Sequence, residues 1–178
     1  QKKEYIPPVI EMDWLPYTAA LIEYALDFDP LELKTTAKVS GDSYVLDGEK
    51  AFVPYAKDAE AMIVYASLDG NTQGFILPKG VAGLSVEDEA EKLMSLNELA
   101  TYRVKLDGVK GPKANRLGGE DGHDFQPVLA AMRVGLAAMA VGVSKAAFEY
   151  SRDYAKEREV FGVKVAQKQA IAFMLAEM

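Results

Sequence analysis

The 178-residue sequence contains no cysteine and a single histidine, His123. A disulfide framework is therefore impossible, and a zinc site built on cysteines or on paired histidines lacks its ligands. Cysteine–histidine catalysis is excluded as well, and a Ser–His–Asp triad would have to use His123. We interpret His123, which precedes Asp124 at the start of a predicted helix, as an exposed structural residue. Because the lack of cysteine fits a reducing compartment, we expect a cytoplasmic protein.

Positive charge and long apolar runs are also scarce. The chain has 20 Lys and Arg against 27 Asp and Glu, which gives a net charge of −7. Such a chain is a poor electrostatic match for nucleic acid or for an anionic membrane. No uninterrupted apolar run approaches the roughly 18 residues of a membrane span. We therefore expect neither nucleic acid nor a membrane as a partner.

Both ends of the chain are typical of a piece cut from a longer protein. Residues 1–6 predict the last turns of a helix that Pro7 and Pro8 stop. Residues 166–178 are helical in composition and reach Met178 without a capping glycine or proline. We expect helical segments that are truncated at both ends.

Residues 17–109 predict β-strands. Short runs alternate apolar and polar side chains, and turn residues separate them about every 8–12 residues. The predicted turns are Gly41-Asp42, Asp47-Gly48, Asp69-Gly70 and Gly80-Val81-Ala82-Gly83. Regular short strands with polar turns favour an antiparallel barrel or sandwich. Residues 107–122 hold five glycines and one proline and predict a linker.

Residues 124–159 predict one long helix. Apolar side chains recur at spacings of three and four, and a second stripe of small residues would allow another helix to approach closely. Two packed faces indicate a helical bundle that is completed elsewhere. Phe161-Gly162 would end the helix, and residues 165–178 predict the next one.

Motif rules alone assign no chemistry to the chain. There is no phosphate-binding loop motif, and Glu120 and Asp121 in the glycine-rich stretch 118–122 would repel a phosphate. We interpret that stretch as a flexible linker. No spacing selects a pair of carboxylates for acid–base work.

A family resemblance lies in four short segments. Residues 154–162 read YAKEREVFG and residues 169–178 read QAIAFMLAEM. They resemble the Y-A-x-x-R-x-x-F-G signature and the following helix of the acyl-CoA dehydrogenase family, with its eleven-residue interval from Arg158 to Gln169. Residues 133–142 match the start of the family's long helix, and residues 48–52, GEKAF, resemble its G-x-K-x-(W/F) strand. The resemblance covers essentially the whole chain.

The resemblance implies an α+β protein with an antiparallel β-barrel middle domain flanked by helical-bundle segments. Residues 1–13 would end an N-terminal helical domain, 14–121 would form the barrel, and 122–178 would begin a C-terminal four-helix bundle. The family assembles as a dimer of dimers, so we expect a homo- or hetero-tetramer. It binds FAD and desaturates the α,β bond of an acyl-CoA thioester, with an electron-transferring flavoprotein as the electron acceptor by family analogy.

The resemblance also assigns roles to single residues. Arg158, Phe161 and Gln169 would reach across a dimer interface to the partner's FAD, and Phe52 would face the flavin. Without the resemblance, Arg158 is better interpreted as a solvated charge or an i,i+4 neighbour of Tyr154. Arg133, as a buried helix residue, would face coenzyme A or a structural carboxylate. The family's catalytic glutamate would lie beyond Met178, so we expect no catalytic residue in this chain.

The chain departs from the family where the family holds its own flavin. Residues 22–29 read IEYALDFD in place of T-E-P-x-A-G-S-D. The hydroxyl-bearing positions become Ile22 and Phe28, and a glycine position becomes Asp27. Pro54 stands where the family has Thr or Ser beside flavin N5, and proline offers neither hydroxyl nor N–H. We predict that Tyr24 and Phe28 partly occlude the chain's own flavin space.

Three functional hypotheses follow from this pattern. The chain could be an acyl-CoA dehydrogenase subunit with a remodelled flavin pocket of its own. It could instead be a non-catalytic partner subunit of a heteromeric enzyme that contacts the active subunit's FAD. The third is a barrel used only for oligomerisation or binding, without flavin chemistry. The retained Arg158 and Gln169 favour the second hypothesis over the third.

Overall fold

The computed structural model describes residues 2–11, 17–94, 96 and 98–178. The chain divides into two compact units, one that ends at Phe125 and one that covers Gln126–Met178. The domain boundary expected between residues 13 and 14 lies outside the described residues.

The first unit begins with helix α1, Lys2–Glu11, which continues through Pro7 and Pro8. The prediction that these prolines end the helix is therefore wrong. Proline fixes φ near the helical value, which is compatible with a continuing helix, but each proline removes one N–H donor and weakens the helix there. Tyr5 of α1 packs edge-on against Tyr17, with ring centroids 5.7 Å apart.

Seven of the described strands of this unit form one sheet. They are β1 Tyr17–Ala20, β2 Thr36–Ser40, β3 Ser43–Pro54, β4 Ala61–Leu68, β5 Asn71–Pro78, β6 Leu84–Val86 and β7 Thr101–Pro112. The strand order is β1-β4-β2-β3-β7-β6, and β5 pairs with β4.

The sheet is mixed and open, so the expectation of an antiparallel barrel is only partly correct. Both β1 and β2 run parallel to β4, whereas the other pairs are antiparallel. Strands β1 and β2 therefore run parallel to each other, and residues 21–35 between them form the crossover that such parallel strands need. Side-chain alternation shows which residues share a face of a strand but not the direction of the strand.

The predicted turns have different outcomes. Gly41-Asp42 joins β2 to β3 and Asp69-Gly70 joins β4 to β5, as expected. Asp47-Gly48 is not a turn, because β3 continues through it with a shift of register. A Cβ on Gly48 would lie 2.6 Å from Thr35 Oγ1, so only glycine allows this close approach.

The predicted linker starts later than expected. Strand β7 includes residues 107–112, of which 109–112 pair with β3, and 3₁₀ turns follow at Lys113–Asn115 and Gly119–Asp121. Arg116 Nη1 donates to the Glu120 carbonyl at 2.8 Å. The glycine-rich stretch is thus an ordered turn rather than a plain linker.

An apolar core joins β3 and β4 to their neighbours. Its buried members are Ala20, Ala37, Tyr44, Leu46, Val53, Ala56, Met62, Val64, Ala66, Leu68, Phe75, Leu77, Val104, Leu106 and Val109. This core fixes the strands that carry the first group of candidate site residues.

The second unit consists of a long helix, a small hairpin and a short helix. Helix α2 spans Gln126–Glu157, strands β8 and β9 are Glu159–Val160 and Val163–Lys164, and helix α3 is Gln169–Glu177. The long-helix prediction is confirmed to within two residues at each end. Helix α2 ends at Glu157, four residues before the predicted break at Phe161-Gly162, which forms the tip of the β8–β9 hairpin.

Helix α2 exposes most of its apolar side chains within this chain. Among its described residues only Leu129 and Ala155 are buried. By length and composition α2 could cross a membrane, although charged residues interrupt its apolar sequence. A core helix of a soluble helical bundle has the same length and composition, so these properties alone do not indicate a membrane span.

Candidate functional site

Phe52 occupies an unusual backbone conformation in β3. Its φ is +54°, in the left-handed region, and the register between β3 and β7 shifts between Lys50 and Val53. A bulky residue rarely adopts this conformation, which is found mainly at bulges and functional sites. The bulge therefore marks the position that the resemblance assigns to a flavin-facing aromatic ring.

The Phe52 ring is covered by the residue that replaces the family's proline. Tyr24 packs against Phe52 with ring centroids 5.2 Å apart, and the Arg103 guanidinium carbon lies 4.3 Å from the Tyr24 centroid. Tyr24 donates its hydroxyl to Glu91 Oε1, and the Phe52 backbone N–H donates to Glu91 Oε2 at 2.8 Å. The bond to Glu91 raises the pKa of the Tyr24 phenol, against the opposing effect of Arg103. We call Tyr24, Phe52, Glu91 and Arg103 the Phe52 cluster.

The other departures from the family pattern have different surroundings. The Pro54 carbonyl accepts a hydrogen bond from Thr18 Oγ1 at 2.6 Å, and the Ile22 carbonyl accepts one from the Ala51 N–H at 2.8 Å. Phe28 is half-buried, and Asp27 is exposed. The backbone carbonyls of Ile22 and Pro54 are therefore already used within the fold.

A buried ion pair holds the segment that enters the cluster. Lys50 is fully buried, and its Nζ donates to Glu23 Oε1 at 2.7 Å and to the Leu21 carbonyl at 3.1 Å. The Glu23 carboxylate also accepts the N–H groups of Lys34 and Thr35 at 2.8 and 2.9 Å. The two residues thus fasten the end of β1 to β3 and to the start of β2.

Burial has opposite consequences for the two partners of this pair. It lowers the pKa of Lys50 to about 8, although Glu23 opposes the shift. It raises the pKa of Glu23, but the hydrogen bonds from Lys50 and from the backbone outweigh that effect, so the carboxyl pKa lies below its ordinary value. Glu23 is therefore held as a carboxylate that serves the fold.

The second unit presents its candidate residues at the surface. Phe161 and Gly162 have φ of +56° and +78°, which matches a two-residue type I′ hairpin turn. The Arg158 N–H donates to the Tyr154 carbonyl, and the Arg158 carbonyl accepts from the Val165 N–H, both at 2.8 Å. This backbone pairing fixes the base of the hairpin while the Arg158 side chain is exposed.

Helix α3 begins beside this hairpin. Gln169 is its first residue and is exposed, and Lys168 occupies the capping position before it. Lys168 Nζ lies 4.9 Å from the centroid of the Phe161 ring. We call Arg158, Phe161, Lys168 and Gln169 the hairpin patch.

The structure thus places three of the predicted residues on the hairpin and the start of α3, and two elsewhere. Arg158, Phe161 and Gln169 all belong to the hairpin and the start of α3, whereas Phe52 belongs to the other unit. Arg133 is exposed on α2 rather than buried as expected. Its guanidinium has no carboxylate within ion-pair distance in the described part of the chain.

His123 also differs from its prediction. Both ring nitrogens are buried, and the ring centroid lies 6.3 Å from that of Tyr65. Burial lowers the pKa of the imidazole. A neutral ring packed against Tyr65 is a structural residue, but it is not an exposed one.

Sequence reasoning missed Glu91, Arg103 and Lys168. Glu91 lies in the acidic run 87–91, which is typical of a solvated loop, and Arg103 lies in an ordinary strand pattern. Only Lys168 offered a signal, since it is a cation directly before Gln169.

The two groups of residues differ in how well they fit a flavin nucleotide. FAD combines a diphosphate with flat rings that accept hydrogen bonds and stack. The hairpin patch offers an exposed guanidinium, an ammonium, an amide and an exposed aromatic ring, so its donor set fits. The Phe52 cluster does not fit, because the Tyr24 hydroxyl and the Phe52 N–H already bind the Glu91 carboxylate and because Ile22 and Pro54 supply no hydroxyl.

Comparisons with known proteins give consistent matches. The acyl-CoA dehydrogenase middle domain matches residues 19–109, and the acyl-CoA dehydrogenase C-terminal domain matches residues 123–178. The mitochondrial short-chain specific acyl-CoA dehydrogenase of Sus scrofa is 34% identical over 186 residues, which cover 100% of this chain and 44% of the relative. Subunit CarC of the caffeyl-CoA reductase–Etf complex of Acetobacterium woodii is 35% identical over 186 residues, which cover 100% of this chain and 48% of that subunit.

A solved structure with the same fold contains the reduced cofactor. Glutaryl-CoA dehydrogenase from Mycobacterium smegmatis in complex with FADH2 superposes with a TM-score of 0.81 at 25% identity. The alignment covers 99% of this chain and 45% of that one. The chain thus spans about half the length of the relatives that it matches.

Proposed function

Because this chain belongs to the acyl-CoA dehydrogenase family of FAD-dependent oxidoreductases, we propose that it is a subunit of an acyl-CoA dehydrogenase whose hairpin patch completes the FAD site of a partner subunit. One observation carries the proposal: Arg158, Phe161 and Gln169 stand exposed on a single hairpin and helix start. These exposed side chains are accessible to a cofactor that is bound in a second subunit.

Each residue of the patch has a separate task in this proposal. The Arg158 guanidinium matches the geometry and charge of a diphosphate. The Gln169 side-chain amide can donate and accept hydrogen bonds at the adenosine end, and the Phe161 ring excludes water from one side of the cofactor. When bound, FAD supplies the hydride acceptor for desaturation of the acyl chain.

The names of the relatives support the substrate class and the electron acceptor. One is a short-chain specific acyl-CoA dehydrogenase, and another is a subunit of a caffeyl-CoA reductase–Etf complex. We propose an acyl-CoA thioester as the substrate of the assembled enzyme and an electron-transferring flavoprotein as its partner. A dimer of dimers, with identical or related subunits, would place the hairpin patch at an interface.

A second candidate function is desaturation at an FAD that this chain itself holds. The left-handed conformation of Phe52 favours it, because an aromatic ring is retained there at a backbone cost. The Phe52 cluster favours the role of a partner subunit instead, since Glu91 binds both the Tyr24 hydroxyl and the Phe52 N–H.

The FAD content of the assembled protein separates the two candidates. We expect the purified complex to bind about one FAD per two chains, with this chain paired to a related subunit, as measured by flavin absorbance against protein mass. One FAD per chain in a preparation of this chain alone would overturn the partner-subunit role and support the second candidate. FAD retention that is unchanged by Arg158→Ala would remove the hairpin patch from the site.

A further inference from the structure

Lys168 touches the aromatic ring of the hairpin patch. Its ammonium lies 4.9 Å from the Phe161 centroid, within the range of a cation–π contact. Phe161 is 93% exposed, so its ring remains accessible to a ligand although Lys168 lies over it.

The charge of Lys168 is available, unlike that of its neighbour Lys164. Lys164 Nζ pairs with Glu159 Oε1 at 2.9 Å and donates to the Glu157 carbonyl at 3.2 Å. Among the residues that the structure describes, no carboxylate lies within ion-pair distance of Lys168. The two lysines therefore differ in role although they are four residues apart.

The backbone under the ring is an independent sign of a ligand contact. Phe161 holds φ of +56° at the first position of the hairpin turn, where Asn, Asp or Gly is preferred. The left-handed conformation is unfavourable for a bulky residue, and exposing an aromatic ring to solvent is unfavourable as well. The disfavoured geometry is explained if the ring is kept for something outside this chain.

We propose that Lys168 is an additional FAD-binding residue. It holds the Phe161 ring from one face and, together with Arg158, supplies a second positive charge for the cofactor's diphosphate. A diphosphate diester carries two negative charges, and a single guanidinium neutralises one of them. This inference rests on the proposed function, because it takes the FAD of a partner subunit as the ligand of the patch.

The test measures FAD release from the assembled holoprotein, followed by flavin fluorescence at low and at high salt. We expect Lys168→Met to weaken FAD binding about threefold to tenfold at low salt, and less at high salt because ions screen the charge. Lys168→Arg keeps the charge and the ring contact and is expected to restore binding to within about twofold. Lys164→Met is the matched control and is expected to leave FAD binding unchanged.

The outcomes distinguish this inference from the function on which it rests. If Arg158→Ala weakens FAD binding and Lys168→Met does not, the inference is wrong and the proposed function remains. If neither substitution changes FAD binding, the proposed function itself fails. A loss in Lys168→Met that is independent of salt and not restored by Lys168→Arg would make Lys168 a merely structural residue.

Discussion

The phenol of Tyr24 and the N–H of Phe52 both donate to Glu91, whereas the guanidinium of Arg158 and the amide of Gln169 remain at the surface. The family resemblance assigns Phe52 in the first group, and Arg158 and Gln169 in the second, to a flavin nucleotide. In the Phe52 cluster the polar groups satisfy one another, and in the hairpin patch they do not. This difference supports our proposal that the hairpin patch serves a partner's FAD, whereas the Phe52 cluster has become part of the packing of its own unit.

The largest expected effect tests whether the charges beside the Phe52 cluster serve the fold. Lys50→Met leaves Glu23 buried without its cation, and we expect the free energy of unfolding to fall by about 3–5 kcal/mol. Lys164→Met breaks an exposed pair and is expected to cost less than about 1 kcal/mol. Urea denaturation measures both variants, and equal small losses would show that the buried pair does not stabilise the sheet.

The next effect tests the proposal that charge in the hairpin patch serves binding. Arg158→Ala removes charged hydrogen bonds to the diphosphate, worth about 1.5–3 kcal/mol, so we expect FAD affinity to fall about 10- to 100-fold. The free energy of unfolding should change little, because the Arg158 side chain is exposed. Fluorescence titration with FAD and urea denaturation of the same variant measure the two quantities. A loss of stability that matched the loss of affinity would contradict the contrast between the two regions.

A smaller effect tests whether the Phe52 cluster can bind FAD once the Tyr24 ring is removed. Tyr24→Ala removes the ring contacts with Phe52 and Arg103, and we expect the free energy of unfolding to fall by about 1 kcal/mol. The number of FAD molecules per chain should not increase, because Ile22 and Pro54 still provide no hydroxyl. Tyr24→Phe is the matched control, since it keeps the ring and loses only the bond to Glu91. A gain of one FAD per chain in the alanine variant would show that Tyr24 alone closes this region.

The smallest effect is a pH dependence. The pKa of Glu23 is lower in the folded protein than its ordinary value of 4.5, so the unfolded state binds more protons in that range. The stability that this carboxylate contributes is therefore fully present above the ordinary pKa and is lost as the pH falls through the folded pKa. Urea denaturation between about pH 3 and pH 7 should give a shallower pH dependence for Glu23→Gln than for the wild type. Parallel curves would assign the acid sensitivity to other carboxylates.

Local sequence signals predicted the elements that depend on local physics. The hairpin turns at Gly41-Asp42 and Asp69-Gly70 and the bounds of α2 follow from turn residues and from spacing. Strand direction could not be predicted from such local signals. The parallel pairing of β1 and β2 with β4 depends on contacts between residues that are far apart in the sequence. Gly48 was misinterpreted for the same reason: its conformation is set by the approach of Thr35.

The candidate site residues also divide into those that local sequence could identify and those that only the fold brings together. The family signature named Arg158, Phe161 and Gln169, which lie close together in sequence and therefore on one hairpin and helix start. The Phe52 cluster joins Tyr24, Phe52, Glu91 and Arg103 across the sheet, and no spacing rule links them. Residues that meet through tertiary packing are visible only in the folded chain.

The bonds from the N–H groups of Lys34 and Thr35 to Glu23 also have a consequence for how this protein can change. They tie together the two ends of the crossover, so residues 24–33 form a loop that is closed at its neck by one side chain. These bonds and the Lys50–Glu23 ion pair hold the end of β1 and the start of β2 from outside the loop. Tyr24, Asp27 and Phe28 all lie inside it. Because Glu23 holds both ends of the loop, we expect that residues within it can differ from the family pattern while the strands on either side keep their positions.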